Sequence, residues 1–379
     1  MWIAGAGAGS CLGAGPRVAA LAAFLLAAGA GSEAAAPHAA ASGEVARARF
    51  LMGTRLAIET DVPVPARAFE AAFDEVARLE TILSNWTTTS EITRLNRKAA
   101  RAPVRCSPEL FGAISTALRW AEATGGAFDP TVEPLVVALG LRGDRPPPAT
   151  GAPGEAPGGP APPDVSIGGV LPAGGAPAVR LPVGWRHVRL GRRSRSVSFD
   201  APGVGIDLGG IGKGIALDAA ASVLRRHGVR RALLDFGGQV LAIGRPQGAP
   251  VWVIGIADPS DRDRAIGAVG IADVSVATSG NAERSVMTPH GPVGHILDPK
   301  EQRPASFAGS VTVAGRDATS ADALSTALFV MGPERGTAWA DRREIPALYL
   351  WRDGHGLMQQ RATRAFMDRF EGWDDATGS

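Results

Sequence analysis

Gly205-Ile206-Asp207-Leu208-Gly209-Gly210-Ile211-Gly212-Lys213-Gly214 is the stretch on which the reading of this chain turns. It carries one acid, one lysine and five glycines, and a helical pattern begins directly behind it. Ala216, Ala219, Ala220, Val223 and Leu224 recur at i, i+3, i+4, i+7 and i+8, which is one face of a helix. Arg225 and Arg226 sit near that helix's C-terminal end and Gly228 just beyond, as the macrodipole and the C-cap favour. The pattern therefore predicts a strand, a glycine turn and a helix N-terminus. Backbone N–H groups point outward there, and glycine lets a ligand approach the main chain. Phosphate suits such a place. The stretch matches neither the dinucleotide fingerprint GxGxxG nor the phosphate loop GxxxxGK[ST], because Gly214 follows Lys213. Taken alone it reads as a tight turn of an α/β unit as well as a phosphate cradle.

Upstream, Arg47 to Glu59 reads as a first strand with Met52-Gly53-Thr54 inside it. In the segment Ala66 to Leu83, Phe69, Ala72, Phe73, Val76, Leu79 and Leu83 keep helical spacing, with Asp74, Glu75 and Arg78 off that face. A polar loop follows, and Ser90-Glu91 opens a short helix through Leu95-Asn96. Trp86 stands in that loop, either as a face for a flat ligand or as a cap on the core. Ser107 is an N-cap with Pro108 at N1, and the helix runs to about Ala123. Thr124-Gly125-Gly126 then leads into Ala127-Phe128-Asp129-Pro130, a tight loop that exposes backbone or a plain helix exit. Residues 141–182 collapse into Pro, Gly and Ala without periodicity and read as a disordered or extended insertion. Trp185 to Leu190 and Ser196 to Phe199 read as a hairpin that delivers the chain to the glycine stretch.

Downstream, Arg231 to Phe236 and Gln239 to Ile243 read as strands joined at Gly237-Gly238. Val251 to Ala257, Gly270 to Ala277, Ser310 to Ala314 and Pro346 to Trp351 are further strands. Thr278-Ser279-Gly280-Asn281 reads as a polar turn, and His295-Ile296-Leu297-Asp298-Pro299 as a short apolar run. Asp322-Ala323-Leu324-Ser325-Thr326 opens a helix to about Val330, with Asp322 and Thr326 four apart on one face. Residues 356–379 read as a C-terminal tail.

A chain of 379 residues with 45% hydrophobic content has room for one large core or two ordinary ones. A formal charge of +2 gives no electrostatic footprint for nucleic acid. Two cysteines, Cys11 and Cys106, make no zinc site. Residues 1–40 read as an export signal: Arg17 precedes the apolar run Val18 to Ala28, with Ala34-Ala35-Ala36 as a cleavage region. That run is short for a membrane span, and the alternative is an uncleaved anchor.

Seven motifs stand in one order: Met52-Gly53-Thr54, Ser90-Glu91-Ile92 with Leu95-Asn96, Thr124 to Val132, Asp207 to Gly214, Ser279-Gly280, His295 to Pro299, and Asp322 to Thr326. In this order the chain resembles the FAD:protein FMN transferases, the ApbE-type family, over about residues 45 to 355 apart from the insertion. The resemblance implies an α+β, T-fold-like domain of largely antiparallel sheets with packed helices. It implies transfer of FMN from FAD, with Mg²⁺, to a threonine hydroxyl of an acceptor protein, and release of AMP. The acceptors it implies are redox-complex subunits, membrane-associated ones among them, and an export signal fits a periplasmic or cell-envelope place. It assigns the metal to Asp322, Thr326 and the Gly210 carbonyl, oxygen ligands that suit magnesium. Flavin-dinucleotide contacts fall to Met52, Trp86, Ala127, Phe128, Asp129, Asp207, Lys213 and His295. Trp86 stands where tyrosine is usual, and Gly212 where alanine is commoner. His295 is either the base that activates the threonine or a hydrogen-bonding partner of FAD. An FAD pyrophosphatase would use the same metal and FAD, and a flavin-binding carrier would lack turnover.

Overall fold

The computed structural model describes residues 44–141, 180–280, 285–288, 291–371 and 373. The expected export signal at 1–40 and nearly all of the 141–182 insertion lie outside the described residues. Eight strands make one sheet: β1 (Glu44–Leu51), β2 (Thr54–Val64), β3 (Ala232–Phe236), β4 (Gln239–Ile243), β5 (Ser275–Gly280), β6 (Ser310–Gly315), β7 (Ala347–Arg352) and β8 (Met358–Ala362). Their order across the sheet is their order along the chain, and every neighbouring pair is antiparallel. The sheet is thus a meander, and the helices are inserted between its strands. Between β2 and β3 come α1 (Ala66–Leu83), α2 (Glu91–Lys98), α3 (Pro108–Ala123), α4 (Glu133–Ala138) and α5 (Gly212–Arg226). α6 (Ala318–Asp341) joins β6 to β7, and α7 (Arg364–Arg369) follows β8. The architecture is α+β with antiparallel sheets, as the sequence implies. α6 is interrupted at Gly332-Pro333, where Gly332 takes φ +74° and Pro333 has no N–H to give.

Alternation along the strands sorts side chains into two cores. Ala232, Leu234 and Phe236 of β3 pack with Phe69, Phe73 and Val76 of α1 and with Leu217 and Leu224 of α5, whereas Leu233 faces the other side. In β7, Ala347 and Tyr349 pack on Leu328 and Phe329 of α6, whereas Leu348 and Leu350 face away. The second core is closed by the hairpin Trp252–Asp258/Asp261–Ile271 and by Phe366, Phe370 and Trp373. Cys106 is buried beside Val104, and burial pushes its thiol up to about 11, with Glu91 adding to the shift.

Several expectations are corrected. Arg47 to Glu59 is two strands, because Met52 (φ +46°) and Gly53 (φ +75°) make a two-residue turn between the paired Leu51 and Thr54. Gly270 to Ala277 is not one strand: Gly270-Ile271 ends the strand Asp261–Ile271, whose charged start is exposed, and β5 begins only at Ser275. Thr278, Ser279 and Gly280 continue β5 instead of turning. Residues 204–208, which lead into and open the glycine stretch, belong to no strand. The stretch after 355 is not all tail: Met358–Ala362 is an edge strand of the sheet, and Phe366 is 1% exposed.

Candidate functional site

Side chains take the place of a strand ladder beneath the glycine stretch. Asn85 Nδ2 and Asn96 Nδ2 both donate to the Ile206 carbonyl, at 2.8 and 2.9 Å, and the Ile206 N–H donates to Asn96 Oδ1 at 2.9 Å. The Asp207 N–H donates to the Pro130 carbonyl at 2.7 Å. These bonds tie the loop of Trp86 and the segment after Phe128 to the stretch. The Leu208 carbonyl then accepts from Ile211 and Gly212, which turns the chain into α5. Ile211, at the N-cap of α5, offers no side-chain acceptor, so the first N–H groups of this helix look elsewhere. One finds Asp322: the Gly214 N–H donates to Asp322 Oδ2 at 2.9 Å.

Asp322 lies one turn into α6 and is 5% exposed. Thr326, one turn further, places Oγ1 3.5 Å from the Gly210 carbonyl oxygen. A Cβ on Gly210 would stand 3.0 Å from Thr326 Oγ1 and 3.2 Å from Phe128 Cε2, so glycine is what lets the three segments meet. Ser325 Oγ donates to the Asp322 carbonyl at 3.0 Å and lies 2.9 Å from Ser279 Oγ, so the Ser279-Gly280 motif backs α6 from β5. The start of α6 is held from two elements. Asp218 of α5 accepts from the Ala318 N–H at 2.8 Å, the Thr319 N–H at 2.9 Å and Thr319 Oγ1 at 2.6 Å. Gln239 Nε2 of β4 donates to the Ala318 carbonyl at 2.7 Å.

The donor set fits a hard divalent cation. A carboxylate, a hydroxyl and a backbone carbonyl, all of them oxygen, stand at the start of α5. Among the described residues no group of three or more His, Cys, Asp or Glu offers a rival metal site. A cation held by one carboxylate leaves coordination positions for substrate phosphates and water, which is how magnesium is usually bound.

The other predicted residues distribute around this centre. Met52 is half-buried, and its Cε lies 3.6 Å from where a Gly212 Cβ would stand, at the first turn of α5. It is a non-glycine residue at positive φ, a strain that is kept where surrounding structure demands it. Lys213 is half-buried on the same turn, and its charge favours the ionised form of Asp235. Burial raises Asp235, while the Gly238 N–H, Arg55, Arg262 and Lys213 pull it back. Asp207 Oδ1 accepts from the Gly209 N–H at 2.7 Å and so shapes the turn itself. Ala127 and Phe128 are buried, Phe128 against Gly210.

Asp129 is 6% exposed and bonded inward: Oδ1 accepts from Thr131 N–H and Oγ1, and Oδ2 from the Trp185 N–H at 2.9 Å. Burial raises its carboxyl and those bonds lower it, with burial the larger. Trp86 is 55% exposed, so it does not cap the core and its face is open. His295 is half-buried two residues before Leu297, which packs on Leu135 of α4 and on Leu139 just after it. The structure thus gathers Gly210, Asp322, Thr326, Phe128, Met52 and Lys213 at the α5 N-terminus. Trp86 and Asp129 border that centre through the Ile206 and Pro130 bonds.

Sequence reasoning missed Asn85, Asp218 and Gln239. Asp218 had a signal, an acid among Ala216, Leu217, Ala219 and Ala220 one turn after Gly214. The two amides had none.

The fold of this chain has counterparts among solved flavin transferases. The profile of the ApbE family matches residues 52–349. The FAD:protein FMN transferase of Treponema pallidum is 31% identical over 346 residues, spanning 86% of this chain and 88% of that protein. That of Vibrio cholerae is 28% identical over 279 residues, spanning 73% of this chain and 77% of that protein. Among solved structures, the ApbE protein of Thermotoga maritima superposes with a TM-score of 0.69 at 27% identity, covering 86% of this chain and 98% of that one. The V. cholerae flavin transferase ApbE gives 0.68 at 26% identity, covering 86% and 99%. The chain belongs to the ApbE family and is an enzyme of its transferase kind.

Proposed function

We propose that this enzyme transfers FMN from FAD to a threonine hydroxyl of an acceptor protein, with Mg²⁺, and releases AMP. The observation that carries the reading is the placing of the Gly210 carbonyl, Asp322 and Thr326 at the N-terminus of α5, where Ile211 gives no side-chain cap. In this reading those three residues hold the magnesium ion, which supplies charge neutralisation on the FAD pyrophosphate. The Lys213 ammonium, on the first turn of α5, binds phosphate oxygens beside them. The open face of Trp86 stacks on the isoalloxazine. The acceptor threonine oxygen forms a bond to the FMN phosphorus, the bridging P–O bond breaks, and AMP leaves with the bridging oxygen. The threonine proton goes to His295, a residue type whose ordinary value of about 6.5 suits a base at neutral pH. Export, and with it an acceptor on the periplasmic face such as a membrane-bound redox subunit, rests on the apolar run at 18–28.

The test mixes the purified chain with FAD, Mg²⁺ and a threonine-bearing acceptor domain from a flavinylated redox subunit. Covalent flavin fluorescence on the acceptor in a denaturing gel is expected, lost on chelation of the metal and in His295→Ala. Free FMN and AMP with no labelled acceptor would replace transfer by FAD hydrolysis. Bound, intact FAD would mean a carrier.

A further inference from the structure

We infer that Asp218 is a positioning residue for the oxygen site: it sets where α6 stands on α5, and so where Asp322 and Thr326 stand relative to Gly210. The inference rests on the metal reading above. α5 and α6 touch through two polar rungs. In the first, Gly214 of α5 donates to Asp322 of α6. In the second, Asp218 of α5 accepts from Ala318 and Thr319 of α6. The rungs are one helical turn apart on each helix and run in opposite directions, since Gly214 precedes Asp218 while Asp322 follows Ala318. Two such rungs fix both the sliding and the rotation of one helix on the other.

Asp218 is not needed as an ordinary N-cap. α6 has its own in Asp317, which accepts from the Ser320 N–H at 2.7 Å. Asp218 instead reaches across from a neighbouring helix and takes the two N–H groups ahead of Ser320. Ala318 is held on its other side as well, its carbonyl by Gln239 of β4. The first residue of α6 is therefore pinned from both α5 and the sheet. Asp322 and Thr326 follow at one and two turns, about 6 and 12 Å along a rigid axis. A shift at Ala318 is carried to both. The carboxylate is chemically required, because its two oxygens serve three donors. An asparagine would turn its N–H₂ toward at least one of these backbone N–H groups.

The test uses the full chain as wild type, Asp218→Asn, Asp218→Ala and Asp322→Ala. Mn²⁺ alone is titrated and followed by electron paramagnetic resonance. FAD binding by flavin fluorescence and thermal melting are measured alongside. Asp322→Ala is expected to lose the Mn²⁺ site. Asp218→Asn, which keeps the side-chain shape, is expected to weaken Mn²⁺ about 10-fold or more while FAD binding stays near wild type. High Mg²⁺ is expected to restore its transfer rate. Mn²⁺ binding within twofold of wild type in Asp218→Asn, with Asp322→Ala deficient, would overturn the positioning role, whatever the melting temperature does. If Asp218→Ala does not fold, Asp218→Asn alone decides. Undiminished Mn²⁺ binding in Asp322→Ala would overturn the metal reading itself.

Discussion

Replacing Gly214 by alanine separates what the α5–α6 contact does for stability from what it does for the site. A Cβ at Gly214 would stand 2.7 Å from both the Ala318 carbonyl carbon and Thr319 Cα, and closer still to the Ala318 oxygen. These are backbone atoms, so no side-chain rotation relieves the clash, and α6 must retreat by about 1 Å to reach ordinary contact. Overpacking of this kind costs about 1–3 kcal/mol. Alanine returns roughly 1 kcal/mol, because glycine is the poorer helix former. The net loss is about 1 kcal/mol, or a drop of about 2 °C in melting temperature for a domain of this size. Activity has no such compensation. The same retreat lengthens the bond between the Gly214 N–H and Asp322 and carries Thr326 away from Gly210, both of which the oxygen site needs. A misplacement of about 1 Å costs on the order of 10²-fold in rate. The assay pairs a thermal melt with the initial rate of covalent flavin appearing on the acceptor. A Gly214→Ala enzyme that transfers within twofold of wild type would show that helix contact does not govern the site.

Two further outcomes follow from the packing. Asn96→Ala removes two of the three bonds that hold Ile206 in place of a ladder, leaving that from Asn85, and should cost about 1–3 kcal/mol in urea unfolding, with FAD affinity falling alongside. An unchanged unfolding midpoint would refute the clamp. The chain's single tyrosine, Tyr349, is fully buried and donates to the Leu328 carbonyl at 2.8 Å. Burial, and after it the charge of Glu334, raises its phenol well above the usual 10. A raised folded value means that Tyr349 supports the fold below pH about 10 and that this support is lost as pH rises further. Phenolate absorbance should therefore stay absent in the folded protein at pH about 10 and appear only with unfolding; early titration would place the ring near solvent.

Much of the fold could be read because its signals are local. The periodic faces of Ala66–Leu83 and Pro108–Ala123 are helices with those bounds, and Ser90 and Ser107 cap as their positions predict. The turn at Met52-Gly53 was hidden because a methionine at positive φ is not a turn signal. The edge strand Met358–Ala362 was hidden because half-exposed Gln and Arg do not alternate visibly with apolar residues. In the site, the order of the motifs was legible. The supporting bonds were not, because each joins residues far apart in sequence: Asn85 to Ile206, Asp218 to Thr319, and Gln239 to Ala318.

The meander order of the sheet also dictates how the chain reaches its native state. β1–β2, β3–β4 and β7–β8 are hairpins or near-hairpins that close over short loops and form on the microsecond scale. The β2–β3 pairing is different: its loop runs from residue 65 to 231 and contains α1 to α5. Closing so long a loop before its contacts form is the slow, entropically opposed event of the folding route. Gly210 arrives with that loop, and Thr326 arrives on α6 from beyond β6. The enzyme therefore gains its oxygen site last, and a partly folded chain that already shows its hairpins is catalytically silent.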